Sequence, residues 1–391
     1  MKANTQIIHA GRKSKYTQGV VNPVVQRAST IVFDSVAQMK ENTAKRGEQA
    51  LFYGRRGTHT HFALQDAITE LEQGAGCALF PSGAAAVSNA ILSFVKTGDH
   101  ILMVDTAYEP TRDFCEKILA NMGVSTTYYD PLIGEGIADL IQDNTVLLFL
   151  EAPGSITMEV QDVPLLTKIA KQHDLLVFID NTYGNGYFFK PLTHGVDVSI
   201  QAATKYIVGH SDVMMGVAIA NEACWEQLRE NAYLMGQCTS ADDAYLAMRG
   251  LRTLPVRLKQ HEQAALEIAN WLKEHPLVDH VRHPMLDSCP GSEVFKRDFS
   301  GSTGLFSFVL KEGNQAAITA LLDGMQHFKM GYSWGGFESL ITVTTSFNRI
   351  RTVTNYDFSG PLVRIHVGLE DVDDLKLDLA EGLERFQAQL K

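Results

Sequence analysis

Two residues near the middle of the chain carry the strongest chemical signal. Lys205 stands in VDVSIQAATKYIVGHSD, set among small residues and followed by apolar Tyr206, Ile207 and Val208. Desolvation of an amine in such a setting lowers its proton affinity and makes it nucleophilic toward a carbonyl carbon. Asp180 closes the apolar run LLVFID, where a carboxylate is costly to bury unless a cation pairs with it. Taken singly, Lys205 reads as an exposed lysine at a strand end, and Asp180 reads equally as a site carboxylate or as part of a turn. The two end adjacent strands in the pattern, and that pairing favours a site. Pro81-Ser82-Gly83-Ala84-Ala85-Ala86 leads from a strand into a helix. Small residues there let backbone amides approach an anion, although alone the segment reads as a tight packing turn. Tyr108 follows the strand that ends at Asp105 and can either stack on a planar ligand or pack over a sheet edge. Arg364 interrupts the apolar strand of PLVRIHVGLE, which suits a bidentate carboxylate clamp or a structural ion pair.

These parts fit pyridoxal 5′-phosphate. That cofactor needs an amine for its aldehyde carbon, a carboxylate for its pyridine nitrogen, a helix N-terminus for its phosphate and a flat group against its ring. Lys205, Asp180, Gly83 and Tyr108 supply these in turn, and Arg364 suits the carboxylate of an amino-acid substrate. A competing pattern is Gly331-Tyr332-Ser333-Trp334-Gly335, a GxSxG match followed by Asp357 and His366 in hydrolase order. A nucleophile elbow joins a strand to a helix, whereas the following GFESLITVT reads extended, so a serine hydrolase using Ser333 is the weaker alternative. No GxGxxG, Walker A loop or HExxH is present, and His261-Glu262 lacks a second histidine four residues on.

The elements that must position these residues alternate regularly from about residue 60. Strands are expected at 77–81, 100–105, 124–129, 145–150, 175–181, 196–201 and 213–219, with helical spacing in most intervals. Near-continuous apolar strands separated by helices imply an α/β fold with a mostly parallel seven-stranded sheet. Long helices at 222–235 and 241–274 then lead to a smaller α+β part, with strands at 304–310 and 362–367 and helices at 314–324 and 371–390. The first sixty residues read as an irregular arm with one helical patch at 35–45. The expected division is an arm over 1–59, a cofactor domain over 60–250 and a small domain over 251–391.

Composition narrows the class. The 391 residues carry a net charge of −11 and no long basic run, which argues against nucleic acid or an anionic membrane as partner. The five cysteines, 77, 115, 224, 238 and 289, are scattered and form no CxxC, a pattern that fits a reducing compartment rather than disulfides or zinc. No apolar run reaches the ~20 residues of a membrane span, and the N-terminus lacks a signal-peptide core. A soluble cytoplasmic enzyme is expected.

Across nearly its whole length the chain resembles the Cys/Met-metabolism PLP-dependent enzymes. The resemblance is carried by LFYGRRG, LFPSGAAAV, DTAYEP, EAPGSITMEVQDVP, IDNT, DVSIQAATKYIVGHSD, ENAYLMGQ, RGLRTL, YSWGGFESL and VRIHVGLEDVDDL. It implies the type I PLP-dependent transferase-like fold in a homotetramer built from tight dimers. It further implies that Lys205 holds the cofactor and moves protons, with Asp180 at the pyridine nitrogen and Tyr108 on the ring. Gly83, Ala84 and Thr204 would hold the phosphate, and Tyr53 and Arg55 would reach the phosphate of a neighbouring subunit. Arg364 would take the α-carboxylate and Arg56 the far end of a dicarboxylic substrate. Tyr332, Ser333 and Trp334 stand where γ-eliminating relatives carry Glu-Ser-Leu, as in the bacterial β-eliminating members. Ser333 would then help place Lys205, while Tyr332 and Trp334 line the substrate side. The expected reaction is β-elimination of L-cystathionine, with γ-elimination or γ-replacement as the alternative within the family. The chain departs from the family pattern at Ser82, often cysteine, and at Tyr183-Gly184-Asn185, more usually Trp-Ala-Ala.

Overall fold

The computed structural model describes residues 2–347, 351–353, 356 and 358–390. All seven expected strands form: β1 (Gly76–Phe80), β2 (His100–Val104), β3 (Ser125–Tyr129), β4 (Thr145–Glu151), β5 (Leu176–Asp180), β6 (Val198–Gln201) and β7 (Gly216–Ala220). They make one sheet in the order β1-β7-β6-β5-β4-β2-β3. Every neighbouring pair is parallel except those of β7, which runs antiparallel to both β1 and β6. A parallel return needs a crossover that is usually helical, and the connection over 202–215 contains no helix. Strands β1 and β7 are buried at every position, because helices cover both faces of the sheet.

This order fixes the working edge. β5 and β6 are neighbours, so Asp180 and the turn that carries Lys205 leave the sheet side by side. β1 runs the same way as β6 and delivers the helix Gly83–Leu92 to that edge. Ligands in such sheets bind outside the carboxyl ends of the strands.

The C-terminal part forms a second sheet. Its strands are β8 (Val278–Arg282), β9 (Leu305–Leu310), β10 (Lys329–Met330), β11 (Leu340–Thr344) and β12 (Leu362–His366), in the order β10-β11-β12-β9-β8. The helix Ala241–Lys273 joins the two halves and continues through Pro255. Its residues up to Leu258 pack into the core of the large sheet, and those from Ala264 pack into the core of the small one.

The N-terminal region is more ordered than its composition suggests. Besides the expected patch, found at Val36–Ala44, helices form at Ala3–His9 and Ser14–Thr17. Ile7, Ala10 and Tyr16 are buried, and the Tyr16 hydroxyl donates to Asp66 at 2.9 Å on the helix His59–Glu72. By contrast Val20, Val21, Val32 and Val36 stay exposed.

Candidate active site

One cavity of about 300 Å³ opens at the carboxyl edge of the large sheet, against the small one. It brings together Ser82, Gly83, Ala84, Tyr108, Asp180, Thr204, Lys205, Tyr332, Ser333, Trp334 and Arg364. These residues come from six separate segments, at or just beyond strand ends except for Arg364 within β12. Their meeting is a consequence of the strand order, not of sequence proximity.

Lys205 sits in the turn after β6. Its Nζ donates to Ser333 Oγ at 2.6 Å and lies 5.4 Å from the centre of the Trp334 ring. Burial, reinforced by the charge of Arg364, brings the amine down to about 8 from its usual value, against the pull of Asp180. The segment opposite is held in an unusual backbone: Ser333 has φ 98° and Gly335 φ 87°. A Cβ on Gly335 would come within 3.0 Å of the Lys205 Cα, so only glycine permits this close approach. Tyr206 braces the turn from behind, its ring 5.5 Å from Trp334 and its hydroxyl accepting the Gly304 amide at 3.1 Å.

Asp180 ends β5. Its Oδ1 accepts the Thr182 amide at 3.0 Å and the Thr182 hydroxyl at 2.5 Å. Burial raises its pKa while these donors and Lys205 draw it down. Among the described residues Oδ2 has no hydrogen-bond partner, which leaves it available to a cationic N–H. Behind this edge, fully buried Glu72 ties the strand ends together. Its Oε1 accepts from Asn181 Nδ2 at 3.1 Å, from Ser199 Oγ at 3.0 Å and from Gln201 Nε2. Burial outweighs those bonds and pushes the carboxyl up to about 7.

The helix Gly83–Leu92 starts beside the cavity. Ser82 is its N-cap, accepting the Ala85 amide at 3.1 Å, which gives the serine at this position a structural task. Among the described residues the Gly83 and Ala84 amides have no partner, so they are open to an anion. A Cβ on Gly83 would meet the Ala202 Cβ at 2.6 Å, so a larger residue would close the cradle. The Thr204 hydroxyl already bonds the backbone of Met215, accepting its amide at 2.9 Å and donating to its carbonyl at 3.1 Å.

Arg364, on β12, lines the wall facing Lys205. No acidic side chain pairs with it among the described residues, and burial lowers its proton affinity. A half-buried guanidinium without an anion is a receptor for one. Among the described residues Arg364 thus makes no structural ion pair, the other role the sequence left open for it.

Three expected residues lie elsewhere in the protomer. Tyr53 is exposed, Arg55 donates to the Tyr233 carbonyl, and Arg56 pairs with Glu230 at 3.2 Å while stacking on Tyr233. The hydrolase pattern does not assemble. No helix follows Ser333 before β11, and Ser333 Oγ meets Lys205 instead of a histidine. His366 Nδ1 bonds the Glu338 carbonyl, and Asp357 lies outside the described residues. Among the described residues no cluster suits a metal, and no helix is long and apolar enough to cross a membrane.

Sequence reasoning passed over Glu151, which ends β4 and lines the same cavity. The signal was available: TVLLFLE closes on a carboxylate as LLVFID does.

The chain's own groups thus offer an amine, a carboxylate with a spare oxygen, a free anion cradle and an unpaired guanidinium around one slot. That set fits pyridoxal 5′-phosphate with an amino-acid substrate.

Comparison with known proteins agrees. The model of the Cys/Met metabolism PLP-dependent enzymes matches residues 4–384. Cystathionine beta-lyase of Escherichia coli strain K12 is 57% identical over 390 residues, covering 98% of this chain and 99% of that relative. The cystathionine beta-lyase of Salmonella typhimurium strain LT2 is 56% identical over 388 residues, covering 98% of each. A solved structure of cystathionine gamma-lyase from Lactobacillus plantarum superposes with a TM-score of 0.89 at 29% identity, covering 99% of this chain and 100% of that one. With agreement of this extent in sequence and fold, the chain belongs to the Cys/Met metabolism PLP-dependent enzymes, whose cofactor is pyridoxal 5′-phosphate.

Proposed function

We propose that this enzyme cleaves L-cystathionine with water to L-homocysteine, pyruvate and ammonia, a carbon–sulfur β-elimination in methionine biosynthesis. The observation that carries the reading is the pair in one cavity: the Lys205 amine, held near 8, and Arg364, which has no acidic partner among the described residues. Identity of 57% over the full length to a cystathionine beta-lyase selects the substrate within the family.

When bound, the cofactor's pyridine ring is the electron sink for negative charge developing at the substrate Cα. Asp180 keeps that sink protonated through its spare oxygen. The Gly83 and Ala84 amides take the phosphate, and Tyr108 covers the ring. Arg364 clamps the α-carboxylate and so fixes which Cα bond faces Lys205. Lys205 would hold the cofactor's aldehyde carbon, and its free Nζ takes the α-proton and then protonates the departing sulfur. Ser333 holds Nζ between those two positions. The unusual backbone at Ser333 and Gly335 is what brings that hydroxyl within reach.

Tyr53, Arg55 and Arg56 serve a neighbouring subunit's site, in a homotetramer of tight dimers in the cytoplasm. Their distance from the protomer's own cavity and the exposed valines of the arm support this. The test is a product assay on L-cystathionine: pyruvate with homocysteine is expected, and 2-oxobutyrate with cysteine would establish γ-cleavage instead. Lys205→Ala should abolish turnover while the fold survives.

A further inference from the structure

Glu151 and Asp180 are register partners at the ends of the parallel neighbours β4 and β5. Both side chains line the cavity. Glu151 Oε2 accepts the backbone N–H of Tyr108 at 2.8 Å. Tyr108 is the N-cap of the helix Glu109–Phe114, its side chain makes no capping bond, and among the described residues no hydrogen bond fixes its hydroxyl. The residue is 49% exposed, so little packing holds the ring, and its position follows from where its backbone is pinned.

We propose that Glu151 is a positioning residue, which fixes the aromatic wall of the cofactor slot through its hydrogen bond to the Tyr108 amide. Two buried carboxyl groups at neighbouring strand ends do not both ionise. Asp180 receives two donors from Thr182, whereas Glu151 receives one, from Tyr108. Asp180 is therefore the anion and Glu151 the neutral member. Burial first, and the charge of Asp180 second, push the Glu151 carboxyl upward, against the Tyr108 amide and the charge of Arg351. A neutral acceptor suits the task, because it holds the amide without competing with Asp180 for the pyridine N–H.

The inference rests on the reading that Tyr108 covers the cofactor ring. It predicts a contrast between Glu151→Gln, which keeps the accepting oxygen, and Glu151→Ala, which removes it. Loss of one hydrogen bond of this kind should weaken pyridoxal phosphate binding to the resolved enzyme about two- to tenfold. The visible circular dichroism of the bound cofactor should fall with it in E151A. E151Q should restore both to within about twofold. In a Tyr108→Ala background E151A should add almost nothing to either loss, since the wall it positions is gone. If E151A does not fold, Glu151→Leu fills the volume without an acceptor and is read the same way. The proposal is overturned if E151A binds cofactor with parental affinity and dichroism, if E151Q is as impaired as E151A, or if the Glu151 and Tyr108 losses multiply. Failure of the functional reading shows separately, as parental turnover and cofactor absorbance in Lys205→Ala.

Discussion

Replacing Lys205 with methionine in the cofactor-free protein should raise its melting temperature at neutral pH. The amine is held at about 8 where an exposed lysine titrates near 10.5. At ~1.36 kcal/mol for each tenfold in proton affinity, that depression costs the folded state roughly 3 kcal/mol. Methionine keeps the stem's volume and removes the charge, but leaves Ser333 Oγ without its donor at 2.6 Å, a loss of about 1 kcal/mol. The net gain is about 2 kcal/mol. An unfolding entropy of ~2.1 cal/mol/K per residue, summed over 391 residues, turns this into a rise of about 2–3 °C. The pH dependence is the sharper signature. Below about 8 both folded and unfolded Lys205 are protonated, so the whole cost is present. Between about 8 and 10.5 the unfolded chain binds the extra proton, stability of the parent rises with pH, and the advantage of the variant fades. Thermal unfolding of both apo proteins from pH 6.5 to about 9.5 measures it. A variant that is less stable than the parent at pH 7, or a gain that does not shrink above pH 8, would refute the reasoning.

Other outcomes follow from the same geometry. Truncating Arg364 to alanine should lower kcat/KM on L-cystathionine about 30-fold or more, the cost of losing one partner of a buried charge pair. Arg364→Lys should recover only part of it, because lysine lacks the planar fork, and equal activity of all three proteins would remove Arg364 from the site. Glu72→Gln keeps the accepting oxygen and abolishes a charge that burial opposes. Since the carboxyl is neutral below about 7, the melting temperature of the variant should gain on the parent between pH 5 and 8. A difference independent of pH would show that ionisation of Glu72 plays no part. Mixing inactive Lys205→Ala and Arg55→Ala subunits under conditions of exchange should restore about a quarter of parental activity, as half of randomly paired dimers carry one intact site. No recovery despite mixed assemblies on a native gel would place Arg55 in its own subunit's function.

Much of the large sheet and its site was legible because strong local patterns and long-range placement agreed. Most of the seven strands are apolar or β-branched runs, with β3 (STTYY) the most polar; Asp180 ends such a run, and Gly83 and Lys205 follow one closely. Arg364 was visible for the same reason, as a lone charge in an apolar strand. What stayed hidden depends on tertiary context. β10 has two residues and takes its identity from pairing with β11. β8 reads VDHVR, with a charge and a histidine between its apolar positions. The Ala3–His9 helix is too short to hold by propensity and forms because Ile7 is buried and Arg252 bonds the Ile7 and Ala10 carbonyls. The antiparallel turn of β7 was also invisible, since apolar runs do not encode direction. That reversal makes room for the helix-free loop that carries Lys205.

The electrostatics of the cavity link recognition to proton transfer. In the empty slot Lys205 and Arg364 face one another, and the charge of Arg364 is a cause of the depressed proton affinity of Lys205. On the proposed role of Arg364, a substrate carboxylate bound there would neutralise that charge and leave burial as the main opposing influence. The proton affinity of Nζ therefore rises on substrate binding, which is the direction a base needs when it is about to take the α-proton. A free amine before binding and a stronger base after it are opposite demands on one side chain. The Arg364–Lys205 opposition meets both, and the roughly 3 kcal/mol of folding free energy it helps to cost in the apo state is the counterpart of that sequence. Arg364→Ala should accordingly raise the proton affinity of Lys205 in the apo protein, seen as slower acylation of Nζ by an amine reagent at pH 8. An unchanged rate would separate the clamp from the base and leave burial alone responsible for the amine's reactivity.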